Sequence, residues 1–272
     1  MRDPMVAEFS LRTRRGLWVL PLVAALAGVF GVSCAVAAGL NDTGVTTCAN
    51  ASGTTVSCTD AAAVQGQDAR YGRDAAAGTG ALTKVGGGAN GFDFTKISNG
   101  SATAPSRSLP ATAGLGTGAD DWGCTYDNTT GLMWEVKTTS GARSQNHIYS
   151  WYNTNALTNG GAVGYQNGGS CANSGRCDTE KFAQDVNTVG MCGHSDWRMP
   201  TFRELNSLVR LGVNPTIDGG YFPNTVSYNF WSASPVASSP GSAWGIGFIG
   251  GYSTSFDPSR YGGTARLVRV GQ

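Results

Sequence analysis

The stretch G-M-C-G-H-S-D-W-R-M-P-T-F-R-E-L-N-S-L-V-R-L, Gly190 to Leu211, carries the most specific local signals in the chain. Pro200 disfavours helix in the residue before it, and Thr201 follows as a hydroxyl N-cap. Glu204 stands three residues on, which completes a T-x-x-E capping box: cap and N3 side chains satisfy each other's backbone donors. Leu205, Leu208 and Val209 recur at helical spacing, Asn206, Ser207 and Arg210 take the opposite face, and Gly212 is a natural stop. The pattern predicts a helix over 202–211. Just upstream, Asp196-Trp197-Arg198 sets a large aromatic between opposite charges in front of a rigid turn. These residue types suit a structural corner, with Trp197 buried and the Arg198 fork donating to carbonyls that lack other partners.

A second helix is predicted upstream. Asp178 or Thr179 caps it, Phe182, Ala183, Val186 and Val189 form its buried face, and Gly190 ends it. Around this pair the chain reads as short strands. Leu132–Val136 is entered by the turn Asn128-Thr129-Thr130-Gly131, Phe230–Ser232 is apolar, and Trp244, Ile246 and Phe248 alternate with glycines. Ala265–Val270 is expected to pair antiparallel with this last strand, after a turn in 257–263, with at most one of Arg266 and Arg269 facing the core. The fold class is α+β, with long loops and a core beginning at Trp122. The polar loop 138–177 is interrupted by Ile148–Tyr152. There Tyr149 and Trp151 suit either packing beneath the loop or a platform on which sugar rings stack.

Residues 1–38 have the form of a signal peptide. Arg12, Arg14 and Arg15 form a basic region, Leu17–Val32 is apolar, and Ala35-Val36-Ala37-Ala38 resembles an A-x-A exit. An uncleaved anchor and lipidation at Cys34 are the competing readings; Gly31 stands where a lipobox wants Leu. Four arginines and two acids leave with this segment, so 15 basic residues face 16 acidic ones and the mature charge is −1. A near-neutral chain without runs of like charge argues against nucleic acid as a general partner. After signal removal, no membrane attachment is expected. Six cysteines remain of seven, an even number in an exported chain, which reads as a disulfide framework with fifteen possible connectivities. Proximity favours Cys48 with Cys58 and Cys171 with Cys177, leaving Cys124 with Cys192. The expected location is extracytoplasmic: periplasm, cell surface or secreted.

Residues 39–121 read as a Gly/Ser/Thr-rich leader with short strands, a hairpin around Ala51-Ser52-Gly53, and a linker over 98–118. Asp68, Asp74 and Asp93 lack the alternating spacing of a calcium loop and suit Asx turns. Gly86-Gly87-Gly88 is not followed by the Lys-Ser/Thr of a phosphate cradle. No C-x-x-C occurs, and the two histidines, His147 and His194, adjoin no cysteine. No metal and no cofactor are expected. A G-x-S-x-G elbow is absent, and nothing indicates a Ser-His-Asp or Cys-His arrangement.

D-W-R-M-P-T-F-R-E-L resembles the D-W-R-L-P-T-x-x-E-L signature of the Legionella collagen-like protein C-terminal domain family, a domain largely without assigned function. T-G-L-M-W-E at Thr130–Glu135, I-D-G-G-Y-F-P-N-T at Ile217–Thr225, F-W-S-A-S at Phe230–Ser234 and R-L-V-R at Arg266–Arg269 follow that family's order. The segments Gly66–Asp74 and Gly91–Lys96 resemble leader segments found before the family's core. More remotely, R-M-P-T-x-x-E-L is similar to the R-L-P-T-E-A-E-W-E stretch of formylglycine-generating-type proteins. That likeness implies a C-type-lectin-like fold for residues 122–272, and the family likeness implies structural roles for Arg266 and Arg269. The reactive cysteine pair of the formylglycine-generating proteins has no counterpart after Cys192. The E-P-N, Q-P-D and W-N-D motifs of calcium-dependent lectins are absent too. The resemblance implies a non-catalytic recognition or adhesion module for a glycan, matrix polymer or surface protein, while the near-neutral charge argues against a polyanion. Expected contact residues are Tyr252, Arg260, Tyr261, Tyr149 and Trp151, with Trp197, Arg198, Thr201 and Glu204 structural. The alternatives are an extracytoplasmic hydrolase or transferase with unassigned carboxylates, and a structural subunit of an envelope assembly.

Overall fold

Strand Trp122–Asp127 (β5) lies at the centre of a five-stranded antiparallel sheet in a computed structural model that describes residues 39, 41–101, 103–259 and 262–271. The signal-like segment 1–38, with Cys34, lies outside the described residues. In chain order the elements before β5 are the hairpin Cys48–Ala49 (β1) and Thr55–Val56 (β2), helices Asp68–Tyr71 (α1) and Arg73–Gly78 (α2), and strands Phe94–Ser98 (β3) and Ser108–Leu109 (β4). After it come Leu132–Glu135 (β6), helices Thr179–Val189 (α3) and Phe202–Asn206 (α4), a meander of Asn229–Val236 (β7), Ser239–Gly247 (β8) and Tyr252–Phe256 (β9), and finally Val268–Val270 (β10).

The large sheet runs β10-β6-β5-β3-β4, and the meander makes a separate three-stranded sheet. Both faces of the large sheet are covered, as the period of two along its strands shows. Phe94, Trp134 and Val268 pack with Leu205 of α4 and with Phe230, Ile246 and Phe248 around the meander. Ile97, Cys124 and Met133 pack on the opposite side with Phe182 and Val186 of α3 and with Trp197. β3 and β4 come from the stretch read as a leader. They hydrogen-bond into the same sheet as β5, and residues 37–272 form one compact unit.

The Gly190–Leu211 stretch runs along the free edge of this sheet. Arg198 exchanges both backbone hydrogen bonds with Val268 of the edge strand β10, at 2.9 Å each. Trp197 thereby enters one core and Leu205 the other. Three disulfides brace the chain: Cys48–Cys58 across the hairpin, Cys171–Cys177 before α3, and Cys124–Cys192, which ties β5 to a 3-10 turn at Met191–Gly193. A cross-link of this kind stabilises by roughly 2–4 kcal/mol.

Three local expectations change. Helix α4 ends at Asn206, followed by a turn whose N–H groups bond back to Arg203, Leu205 and Asn206, and the predicted last residues find partners elsewhere. Arg210 N–H donates to Thr216 O and Leu211 N–H to Thr43 O, at 3.0 and 2.9 Å. Val189 closes α3 at 80% exposure, so it is not on the buried face. The C-terminal strand pairs with β6, not with β8, whose second partner is β9. Because both sheet faces are covered there, Arg266 and Arg269 are both buried, at 0% and 7% exposure.

Candidate functional site

Several charged residues of the quoted motifs bind one another. Glu204 Oε2 accepts from Thr201 N–H at 2.7 Å, Thr201 Oγ1 accepts from Glu204 N–H at 3.3 Å, and the capping box is closed. Arg198 then clamps the same carboxylate in a fork, at 2.8 and 2.6 Å. Burial alone would raise the Glu204 carboxyl, but the Arg198 fork and the Thr201 N–H hold it below its ordinary range. Arg198 therefore serves mainly a carboxylate, with a single 3.3 Å bond to the Met199 carbonyl. Arg269 pairs with Asp196 at 2.7 and 3.3 Å.

Deeper in, Arg266 donates to Glu135 O and Thr225 Oγ1, both at 2.7 Å, and Glu135 Oε2 accepts from Leu267 N–H at 3.1 Å. Lys137 Nζ sits 2.9 Å from Glu135 Oε1, close enough to pair although not aligned as a hydrogen bond, and 4.6 Å from the Phe182 ring centre. Burial lowers Lys137 to about 8 and Arg266 to about 10, with Glu135 opposing both shifts. All three side chains are fully buried, so this network is scaffold, closed to any substrate. His147 is engaged at both ring nitrogens. Nε2 accepts from Ala172 N–H at 3.1 Å, which leaves the proton on Nδ1 facing the Tyr149 hydroxyl at 3.1 Å.

Tyr149 and Trp151 are each 2% exposed and do not form an open stacking platform. Tyr149 stacks on Phe182 at 4.7 Å, and Trp151 Nε1 donates to Ser232 O at 2.9 Å. The loop above α3 folds down because its backbone polar groups find partners there. Tyr152 N–H donates to Thr179 Oγ1 and Thr154 N–H to Glu180 Oε2, at 3.0 and 2.6 Å. Tyr252 is 49% exposed, at the end of the meander that also carries Tyr228 and Ile249 at 48% and 54%. Arg260 and Tyr261 lie outside the described residues.

The concavity best suited to a ligand was not marked in advance. Between the 151–158 loop, α3 and the Trp197–Thr201 corner lies a groove of about 450 Å³. Trp151 and Trp197 close its base, their indole N–H groups spent on the carbonyls of Ser232 and Met191. Asn187 locks the corner to α3 through two bonds with the Trp197 backbone, at 2.8 and 2.7 Å. Tyr152, Asn155, Glu180, Gln184 and Met199 are part of the lining. The Tyr152 hydroxyl and the Asn155 amide nitrogen have no hydrogen-bond partner among the described residues. The sequence signal for this site is the polar run Tyr152-Asn153-Thr154-Asn155 directly after Trp151. Among the described residues, the one group spaced for a metal ion is Asp42, Asp68 and Asp74, which shares no residue with the groove.

A disulfide-tied α+β domain, with its motif charges spent on scaffold and a loop-walled groove, is the class of protein this geometry defines. Residues 123–269 match the family described as the Lcl C-terminal domain, and the chain belongs to that family. No curated protein and no solved structure shows a significant match to it.

Proposed function

We propose that this chain is an extracytoplasmic recognition module that holds a neutral glycan in the groove between the 151–158 loop, α3 and the Trp197–Thr201 corner. The observation that carries the reading is the composition of that groove: an apolar base, half-buried Tyr152 and Met199, and a rim of amide and hydroxyl groups with spare donors. Sugars present apolar C–H faces beside hydroxyls, so ring faces and amides are complementary to them. A polyanion is disfavoured, because the groove's arginine, Arg198, is held by Glu204 and the carboxylate of Glu180 lines the groove as well. Residence outside the cytoplasm is supported by three disulfides and by the apolar, arginine-led start of the sequence. Two helices against small antiparallel sheets with long loops support a C-type-lectin-like arrangement for residues 122–272.

The test is a glycan array followed by calorimetry. Tyr152→Ala and Asn155→Ala are each expected to weaken binding at least tenfold while leaving the melting temperature near the parent's. Unchanged affinity in both variants discards the groove. Turnover of a screened polymer, abolished by replacing a single Asp or Glu, discards the non-catalytic reading. The exposed Tyr228, Ile249 and Tyr252 support a second reading, in which a protein partner docks on the end of the meander.

A further inference from the structure

Asp42, Asp68 and Asp74 reach one another from three pieces of the N-terminal segment: the extended stretch before β1, the start of α1, and α2. One carboxylate oxygen from each lies within 4.8 Å of the other two. Asp42 and Asp74 are buried, at 7% and 4% exposure. A backbone N–H satisfies one oxygen of each: Thr43 donates to Asp42 Oδ1 at 2.7 Å, and Gly91 to Asp74 Oδ1 at 3.0 Å. The remaining oxygens, Asp42 Oδ2 and Asp74 Oδ2, are shut away from solvent and have no hydrogen-bond partner among the described residues. Two neighbouring cationic side chains are directed elsewhere. Arg73 Nε donates to Gly91 O at 2.9 Å, and Lys84 Nζ to Gly88 O at 3.0 Å.

Clustered like charges, two of them buried, are destabilising without a positive charge among them. Oxygens bound to one calcium ion at 2.3–2.6 Å stand at most roughly 5 Å apart, which matches the observed limit. The donors are all hard oxygens, the preference of calcium and magnesium over softer metals. We propose that Asp42, Asp68 and Asp74 hold one divalent cation of the calcium type, with Asp42 Oδ2 and Asp74 Oδ2 as ligands.

The cluster adjoins a cleft of about 800 Å³, which Asp74 lines together with Arg70, Lys84 and Asn90. Space is kept by glycine: a Cβ at Gly91 would collide with Asp42 Oδ2, and one at Gly72 with Asp68 Oδ1. The stretch carrying Asp42 is already fastened to the body, by Asn41 Nδ2 donating to Asp127 Oδ2 at 2.8 Å and Leu211 N–H to Thr43 O at 2.9 Å. A bound cation therefore clips α1 and α2 onto the Lcl C-terminal domain.

Calorimetry of the purified, EDTA-stripped protein at pH 8 with calcium chloride, and separately with magnesium chloride, tests the site. One calcium per chain is expected, with a rise in melting temperature of ~5–10 °C at a hundredfold excess over the Kd. Asp68→Asn is expected to bind at least tenfold more weakly. The double variant Asp42→Asn, Asp74→Asn is expected to bind none, yet to melt in EDTA at or above the parent in EDTA, since two uncompensated buried charges are gone. Absence of heat and of any shift in a cooperatively melting parent overturns the site, and so does calcium binding retained by the double variant. Binding of magnesium in preference to calcium overturns the assignment of the ion.

Discussion

Glu135, Lys137 and Arg266 in the family domain and Asp42, Asp68 and Asp74 in the N-terminal segment are two clusters of charge with opposite construction. In the first, opposite charges meet: Lys137 Nζ stands 2.9 Å from Glu135 Oε1, Arg266 bonds Glu135 O and Thr225 Oγ1, and Leu267 N–H bonds Glu135 Oε2. In the second all charges share one sign, and two buried oxygens have no donor among the described residues. Burial is extensive in both, so burial does not separate them. What separates them is whether the protein itself supplies the counter-charge. A cluster closed on itself is scaffold; a cluster left open points to something that arrives from solution.

The largest expected effect breaks the closed side. Arg266→Ala leaves Glu135 O and Thr225 Oγ1 without their fully buried donor and is expected to cost about 3–5 kcal/mol in a denaturant melt. A cost below about 1 kcal/mol means that solvent reaches the network and that the contrast with the acidic cluster is lost. Trp197→Ala separates packing from charge. Its ring is 2% exposed and its N–H is bonded to Met191 O, so a cavity cost of about 3–5 kcal/mol is expected by the same measurement. A Trp197→Ala protein as stable as the parent would place that ring on the surface of the groove.

Smaller changes probe the partly exposed charges at the corner. Thr201→Ala removes one half of the capping box and is expected to cost about 1 kcal/mol, with the Arg198–Glu204 fork retained. The smallest effect is a pH slope from His147. Burial is the main cause holding its pKa below the ordinary 6.5. The folded state therefore binds fewer protons than the unfolded state between the lowered value and 6.5, and stability falls as pH drops through that window. Melting temperatures at pH 7 and pH 5 are expected to differ less in His147→Gln than in the parent. An unchanged difference would assign the slope to other groups, Glu204 not among them, since its stabilisation is lost only at more acid pH.

Signals confined to neighbouring residues were legible without the fold. The T-x-x-E box at Thr201 and Glu204, Asp178 capping α3, the glycine that ends it and the hairpin across Cys48 and Cys58 each depend on a few adjacent positions. Local propensity and chain connectivity suffice there, because the partners lie within ten residues of one another. Partners distant in sequence were not legible. The end of α4 depends on Thr43 and Thr216, the pairing of β10 on β6, and the burial of Arg266 and Arg269 on a sheet covered on both faces. The same holds for function. Tyr149 and Trp151 have the composition of a contact surface, but closure of the loop over α3 buried them and opened the groove beside Tyr152 instead. Asp68 and Asp74 read as turn formers until the chain brought Asp42 from 26 residues before Asp68 to stand beside them. Sequence by itself determined the caps, the family and the pool of residues able to bind. Tertiary structure alone decided which of them face one another, because long-range pairing is set by the packing of both sheet faces at once, a condition no local window contains.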